Sequence, residues 1–392
     1  MNGKFFVLVC FCFLFWPRLS IINHPLSHLF TGHFYMYLFS IFLQIILLNL
    51  RGNSSSIMLI LKRVILLLLI AGTHKAEAFF ETLWATITGG EQCNKHWINF
   101  DFNAFQLDLN ENLFGQPLVL ESVGYAVKSH YAKNDRNQKP LVLSFHGMQG
   151  SGKNYVSDFI VKHTFRRNLE TGQKSQFVHF FNGRLQFPLE RHIHTYKYEL
   201  EKTIKDALYN CPYSIFIFDE VDKIPRGVLD TLKPYLDYRF EVQGVEAKKA
   251  IFIFLSNTGS RAIMEKYLEY WNEGIDRNSL SLNDFDDVIR SGAFNEDGGL
   301  QFSDNIESNL IDHYIPFLPL EKSHVRLCIL KELTYHYGFH PDNKEEIVNE
   351  VFKTVTFGPK PEKIFSTSGC KRISQQVATL VTKSKWRSKS EL

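Results

Sequence analysis

The feature that most narrows what this chain can fold into is an apolar run that ends abruptly in a glycine-rich turn. Pro140-Leu-Val-Leu-Ser-Phe-His146 carries no Asp, Glu, Lys or Arg, and it leads straight into Gly147-Met148-Gln149-Gly150-Ser151-Gly152-Lys153-Asn154. A short continuous run of this kind suits a strand buried on both faces of a parallel sheet. The spacing of Gly147, Gly152 and Lys153 then fits a phosphate-binding loop. Its glycines let backbone N–H groups point inward at a β-phosphate, and Lys153 reaches the β and γ oxygens. A helix expected from about Lys153 to Thr164 adds its positive N-terminal end. Taken alone, such a loop is also compatible with an ordinary tight turn, so the rest of the chain decides.

Two further apolar runs supply the context. Ile215-Phe-Ile-Phe218 ends in Asp219-Glu220, a buried strand delivering two carboxylates to a sheet edge. In a site that binds ATP, Asp219 holds magnesium directly or through water, and Glu220 polarises the attacking water as general base. Ile251-Phe-Ile-Phe-Leu255 ends in Ser256-Asn257, which sets an amide where the γ-phosphate and the water meet, the role called sensor 1. One position departs from the usual pattern. Asn154 stands where Ser or Thr offers magnesium a hydroxyl, and its amide oxygen is a neutral substitute. Upstream, Asn112-Leu-Phe-Gly-Gln116 is placed to fold over an adenine.

Composition excludes some functions. Forty-four basic and 41 acidic residues leave a net charge of +3, with no footprint for nucleic acid beyond a short basic tail from Lys383 to Lys389. The 45% apolar content with 22% charge is that of a globular protein.

The first 80 residues are different. Lys62 and Arg63, the run around Leu66 to Leu69, and Ala76-Glu77-Ala78 have the three parts of a secretory signal. We read 58–78 as that signal, with translation from Met58 and cleavage after Ala78, and 1–57 as an upstream extension. The alternative is a membrane anchor in 34–50, uncharged and just long enough to span a bilayer. The one sequon, at Asn53, lies before the expected cleavage. Cys93, Cys211, Cys328 and Cys370 remain after it, in a setting where thiols pair. Their wide spacing rules out a compact CxxC-type zinc site. The chain ends Lys389-Ser-Glu-Leu392, one position from the KDEL retrieval signal.

Taken together, these pieces resemble an AAA+ module, and from about Leu109 to Lys371 they resemble the torsin family. The resemblance rests on the P-loop ending Gly-Lys-Asn154 and on Ser214-Ile-Phe-Ile-Phe-Asp-Glu220 followed by Asp222-Lys223. Lys233-Pro-Tyr-Leu-Asp-Tyr238, Ile253-Phe-Leu-Ser-Asn257, Asn309-Leu-Ile-Asp312 with Pro316-Phe-Leu-Pro-Leu320, and Gly369-Cys-Lys371 complete it. Torsins are similar in fold to Clp-type ATPases and act in the endoplasmic reticulum lumen, including the nuclear envelope. They hydrolyse ATP when a membrane-anchored activator, a lamina-associated polypeptide or its luminal relative, supplies what they lack. Clp-type proteins carry an arginine finger in an Asn-Arg-Ile-Asp stretch, and Leu310 stands at that position here. The resemblance therefore implies an arginine given in trans and a homo-oligomer. It also implies Lys371 as sensor 2 and a redox pair between Cys328 and Cys370. For Cys93 and Cys211 we then expect a structural disulfide that pins the N-terminal segment to the strand ending at Glu220.

Two other functions share these residues. A Clp-like unfoldase needs an aromatic pore loop bracketed by glycines, and Phe180 to Pro188 holds a single glycine. A nucleotide-gated oligomeric scaffold with little turnover fits Leu310 and Asn154 but not Glu220. The expected architecture is α/β: an AAA+ P-loop domain over 79–320, with helices on both faces of a mostly parallel sheet, and a small helical lid with the basic tail over 321–392. Lid helices are expected at His324 to Tyr337 and Lys344 to Lys353.

Overall fold

A computed structural model describes residues 90–390 except 134–136, 173, 239–240 and 338–343. The expected extension, anchor, sequon and signal, and the last two residues of the retrieval sequence, lie outside the described residues. The described residues from Glu91 onward form one compact unit. No described helix is long and apolar enough to cross a membrane.

Its centre is a five-stranded sheet in the order β2-β3-β4-β1-β5. The strands are β1 (Leu141–Gly147), β2 (Val178–Asn182), β3 (Ile215–Asp219), β4 (Ile251–Ser256) and β5 (His313–Phe317). Every pairing is parallel, where the sequence suggested a mostly parallel sheet.

Alternation along the three central strands sorts side chains by type. Leu141, Leu143 and Phe145, Ile215 and Ile217, and Ile251, Ile253 and Leu255 face one core. The intervening Val142, Phe216, Phe218, Phe252 and Phe254 face the other. On that second face the rings stack across strands, Phe216 on Phe252 at 4.7 Å and Phe218 on Phe254 at 5.2 Å between centroids. Each such pair adds roughly 0.5–1.5 kcal/mol beyond the area it buries.

Helices cover both faces, as doubly buried strands require. The aliphatic face is packed by α1 (Phe102–Asn112), α2 (Pro117–Lys133) and α3 (Lys153–Thr164) through Phe105, Leu109, Val123, Val156 and Ile160. The phenylalanine face takes α4 (Ile193–Asn210), α5 (Ser260–Asn272) and α6 (Asn283–Asn295) through Leu200, Ile204, Ile263, Phe285 and Ile289. Asp101 caps α1 by accepting from Ala104 N at 3.0 Å, and this starts the helix that leads into the adenine-segment candidate.

The C-terminal part is helical: α7 (Lys322–Tyr337), α8 (Lys344–Thr354) and α9 (Ile373–Ser390). Val325, Ile329 and Leu333 meet Val348, Val351, Val377 and Val381 in a core of their own. A small antiparallel hairpin of β6 (Phe357–Gly358) and β7 (Phe365–Ser366), absent from the sequence reading, joins α8 to α9. The backbone of the basic tail continues α9.

Phe252 is fully buried between the sheet and its helices. Phe252→Ala should destabilise the chain by about 3–5 kcal/mol, read from chemical denaturation, because the stack and the cavity term are lost together.

Candidate active site

The C-terminal ends of parallel strands gather backbone and side-chain groups at one edge, which is where open α/β sheets bind ligands. Here β1, β3 and β4 end side by side. β1 runs into the loop that carries Lys153, β3 ends in Asp219 with Glu220 next, and β4 is followed by Asn257.

The loop after β1 is held from below and above. Gln116 Nε2 donates to Ser151 O at 3.1 Å, fixing the loop to the segment between α1 and α2. From the lid, Cys370 N donates to Gly150 O at 3.1 Å. Gly150 has φ +76°, and a Cβ there would lie 2.1 Å from Ser368 O, so the loop and lid touch where no side chain fits.

Lys153 starts α3 and is buried. Its Nζ donates to Gly147 O at 2.6 Å, Met148 O at 3.0 Å and Asn257 Oδ1 at 3.1 Å. Burial pushes its pKa down to about 8; Asp222 and Asp219 pull the other way and Lys371 adds to the lowering.

The carboxylates sit opposite. Asn154 Nδ2 donates to Asp219 Oδ2 at 2.9 Å, and Glu220 N to Asp219 Oδ1 at 2.9 Å. It is thus the amide nitrogen of Asn154, where the sequence led us to expect its oxygen as a magnesium ligand, that faces Asp219. Glu220 adopts a left-handed conformation, φ 51°, at the strand-to-turn corner, and its Oε2 lies 3.1 Å from Arg184 Nε.

The sequence marked Asp222 only as part of the resemblance and gave it no role; its Oδ1 accepts from both Asn257 N (3.2 Å) and Asn257 Nδ2 (3.1 Å). A third acid two residues after Glu220 was the available signal. Asp222 fixes the Asn257 amide so that its oxygen faces Lys153.

These groups line one cavity of about 520 Å³. The structure brings Gln149, Gly150, Ser151, Gly152, Lys153, Asn154, Asp219, Glu220, Asn257 and Lys371 to its wall. Gly147 and Met148 lie behind it, with their carbonyls on Lys153. Asn112, Leu113 and Phe114 form another part of the wall, and Lys331 and Glu332 of α7 reach it from the lid.

Cys328 and Cys370 are disulfide-bonded and border the same cavity. The second disulfide, Cys93–Cys211, does not line the cavity and ties the N-terminal segment to the C-cap of α4, before β3 begins. Among the described residues no cluster of three His, Cys, Asp or Glu side chains could hold a metal. The hard oxygens of Asp219 and Asn154 suit magnesium, which binds one or two protein groups together with phosphates.

Known proteins fit this arrangement. A family model described as Torsin matches residues 88–218, and one described as Torsin-1A, C-terminal domain, matches 320–378. A torsin-like protein of Caenorhabditis elegans is 40% identical over 283 residues, 72% of this chain and 78% of that protein. A torsin-like protein of Drosophila melanogaster is 36% identical over 292 residues, 74% of this chain and 85% of that protein. Among solved structures, the S. cerevisiae Hsp104-ADP complex superposes with a TM-score of 0.51 at 17% identity, over 74% of this chain and 48% of that one. The Hsp104:casein complex in its extended conformation gives 0.50 at 17% identity and the same coverages. This chain thus spans about half the length of the Hsp104 chains, and the likeness is one of AAA+ fold.

Lys153 makes nucleotide binding depend on pH. A bound triphosphate favours the ammonium, whereas the free chain loses that proton as pH rises through about 8. Binding therefore takes up protons near that pH, and affinity falls as pH rises above it. Calorimetry in buffers of different ionisation enthalpy should count this uptake, and Lys153→Met should abolish it.

Proposed function

Because this chain belongs to the torsin family of AAA+ ATPases, we propose that it binds ATP with magnesium and hydrolyses it when a membrane-anchored activator supplies an arginine. The observation that carries this reading is a cavity with the acids and lysines of hydrolysis and no finger. Lys153, Lys331 and Lys371 are its lining cations, and no arginine is among the described residues that line it. At the finger position, Leu310 is 3% exposed and packed in the phenylalanine-face core, so that backbone offers no side chain to a neighbouring subunit.

Each residue has a task. Backbone N–H groups of Gly147 to Gly152 cradle the phosphates and Lys153 neutralises the β and γ oxygens. Asp219 and Asn154 are the groups that would hold magnesium, which when bound screens the triphosphate charge. Glu220 takes the proton of the attacking water, a contribution of about 10² to 10⁴ in rate for a placed base. Asn257, held by Asp222, orients that water, and Lys371 reports the γ-phosphate to the lid. An arginine finger is worth about 10³ to 10⁵ in rate, so without one turnover is slow.

The activator we propose carries a luminal domain resembling lamina-associated polypeptide and joins a homo-oligomer of this chain. The secretory signal expected at 58–78 and the two disulfides favour the endoplasmic reticulum lumen, including the nuclear envelope, as the site of action. There the protein remodels proteins or membranes.

ATP turnover by the purified chain, alone and with the activator's luminal domain, tests this reading. Turnover should appear with the activator and vanish in Glu220→Gln. Brisk turnover by the chain alone would sink the trans-arginine reading. Absence of turnover in both conditions, with ATP still bound, would favour a nucleotide-gated scaffold.

A further inference from the structure

Three segments far apart in the chain meet at one buried guanidinium. Arg277 lies in the polar stretch Asp276-Arg277-Asn278 between α5 and α6, yet it is only 8% exposed. Its Nη1 donates to Gly115 O at 2.5 Å and its Nη2 to Pro319 O. Its Nε donates to the Tyr267 hydroxyl at 3.0 Å, and the guanidinium lies over that ring, 4.4 Å from the centroid. The counter-charge is Glu321. Its Oε1 is 3.4 Å from Nη2 and accepts the Tyr267 hydroxyl at 2.8 Å.

A buried arginine is costly unless its donors are met. Here two of its nitrogens bond to main-chain carbonyls on separate connections, an arrangement a simple ion pair with Glu321 does not need. The Gly115 carbonyl belongs to the turn that presents Asn112, Leu113 and Phe114 to the cavity. Pro319 and Glu321 flank Leu320, which lines the same cavity and leads into α7.

The turn is pressed against this joint. Gly115 has φ +68°, and a Cβ there would lie 2.7 Å from Arg277 Nη1 and 2.8 Å from the His324 ring. His324 Nδ1 accepts from Glu321 N at 3.2 Å, and burial, with Arg277 beside it, pushes its pKa down to about 4, so it stays a neutral acceptor. Gln116 holds the opposite side. Its Nε2 donates to Leu318 O at 2.9 Å and its Oε1 accepts from Leu318 N at 2.8 Å.

We propose that Arg277 is a positioning residue for the nucleoside: it locks the Asn112–Gln116 turn to the start of the lid, so that the wall facing the base is set before ATP arrives. The phosphates are held by other groups, those of the P-loop. Arg277 therefore governs the part of the affinity that comes from the nucleoside. The proposal rests on the reading of this cavity as an ATP site and is independent of the activator.

The test compares ATP with inorganic tripolyphosphate, which needs only the phosphate cradle, by calorimetry on the full chain. Arg277→Lys keeps the charge and loses the planar fork that reaches two carbonyls at once. It should weaken ATP by about tenfold or more and tripolyphosphate by less than about twofold, a split that a general loss of structure does not give. Amide hydrogen exchange at 113–116 and 320–321 should quicken while β1 keeps its protection.

Tyr267→Phe removes one hydroxyl from the joint and keeps the ring, so it serves where Arg277→Lys folds poorly. It should show the same split at smaller size. Equal losses for both ligands, or unchanged exchange in both segments, overturn the proposal. A wild-type chain that binds neither ligand overturns the ATP-site reading and this proposal with it.

Discussion

The ammonium of Lys153 is the constraint on which the site depends. It is buried at the edge of a sheet, and a buried cation needs acceptors placed around it before any ligand arrives. Two of them are carbonyls of its own loop, Gly147 and Met148, and the third is Asn257 Oδ1 on the strand next door. That third bond exists because β1 and β4 are neighbours in register, with His146 opposite Ser256. Asn257 in turn points correctly because Asp222, beyond β3, holds both its amide and its backbone N–H. The order of the central strands is thus written into one lysine's hydrogen bonds.

The strands that deliver these groups were legible in the sequence, and the reason is physical. β1, β3 and β4 are central, buried on both faces, and therefore continuous apolar runs that stop where polar function begins. β2 stands at the sheet edge, is partly exposed, and reads Val-His-Phe-Phe-Asn, with no such contrast. β5 contains Pro316, which an edge strand accepts and a central one does not. α3 was legible to the residue because the P-loop fixes its start. The β6–β7 hairpin is too short to leave a pattern.

Arg277 was illegible for a different reason. Flanked by Asp276 and Asn278, it looks like a solvated loop residue, and nothing in its local sequence distinguishes it from the exposed Arg261 nearby. Its burial comes from Gly115, Tyr267, Pro319 and Glu321, brought together only by the fold. Gln116 and Asp222 share this property to a lesser degree, since each lies beside a motif and acts across to another. Polar joints of this kind escape pattern reading because their partners have no fixed spacing.

Leu310 shows how firmly the core can hold one position. The stretch Asn309 to Asp312 leads into β5 and is fastened by Lys139, which donates to Leu310 O at 2.8 Å and pairs with Asp312 Oδ1 at 2.8 Å. Asp312 Oδ2 also accepts from Val142 N at 2.9 Å, and Asp312 N donates to Val142 O at 3.0 Å. With its backbone anchored on both sides and its side chain filling the phenylalanine-face core, position 310 contributes packing. An arginine there would have to leave that core to act, giving up the apolar contacts that leucine makes. The same backbone geometry that seats Leu310 therefore leaves no side chain free at this position, so in the function proposed above an arginine has to come from outside the chain.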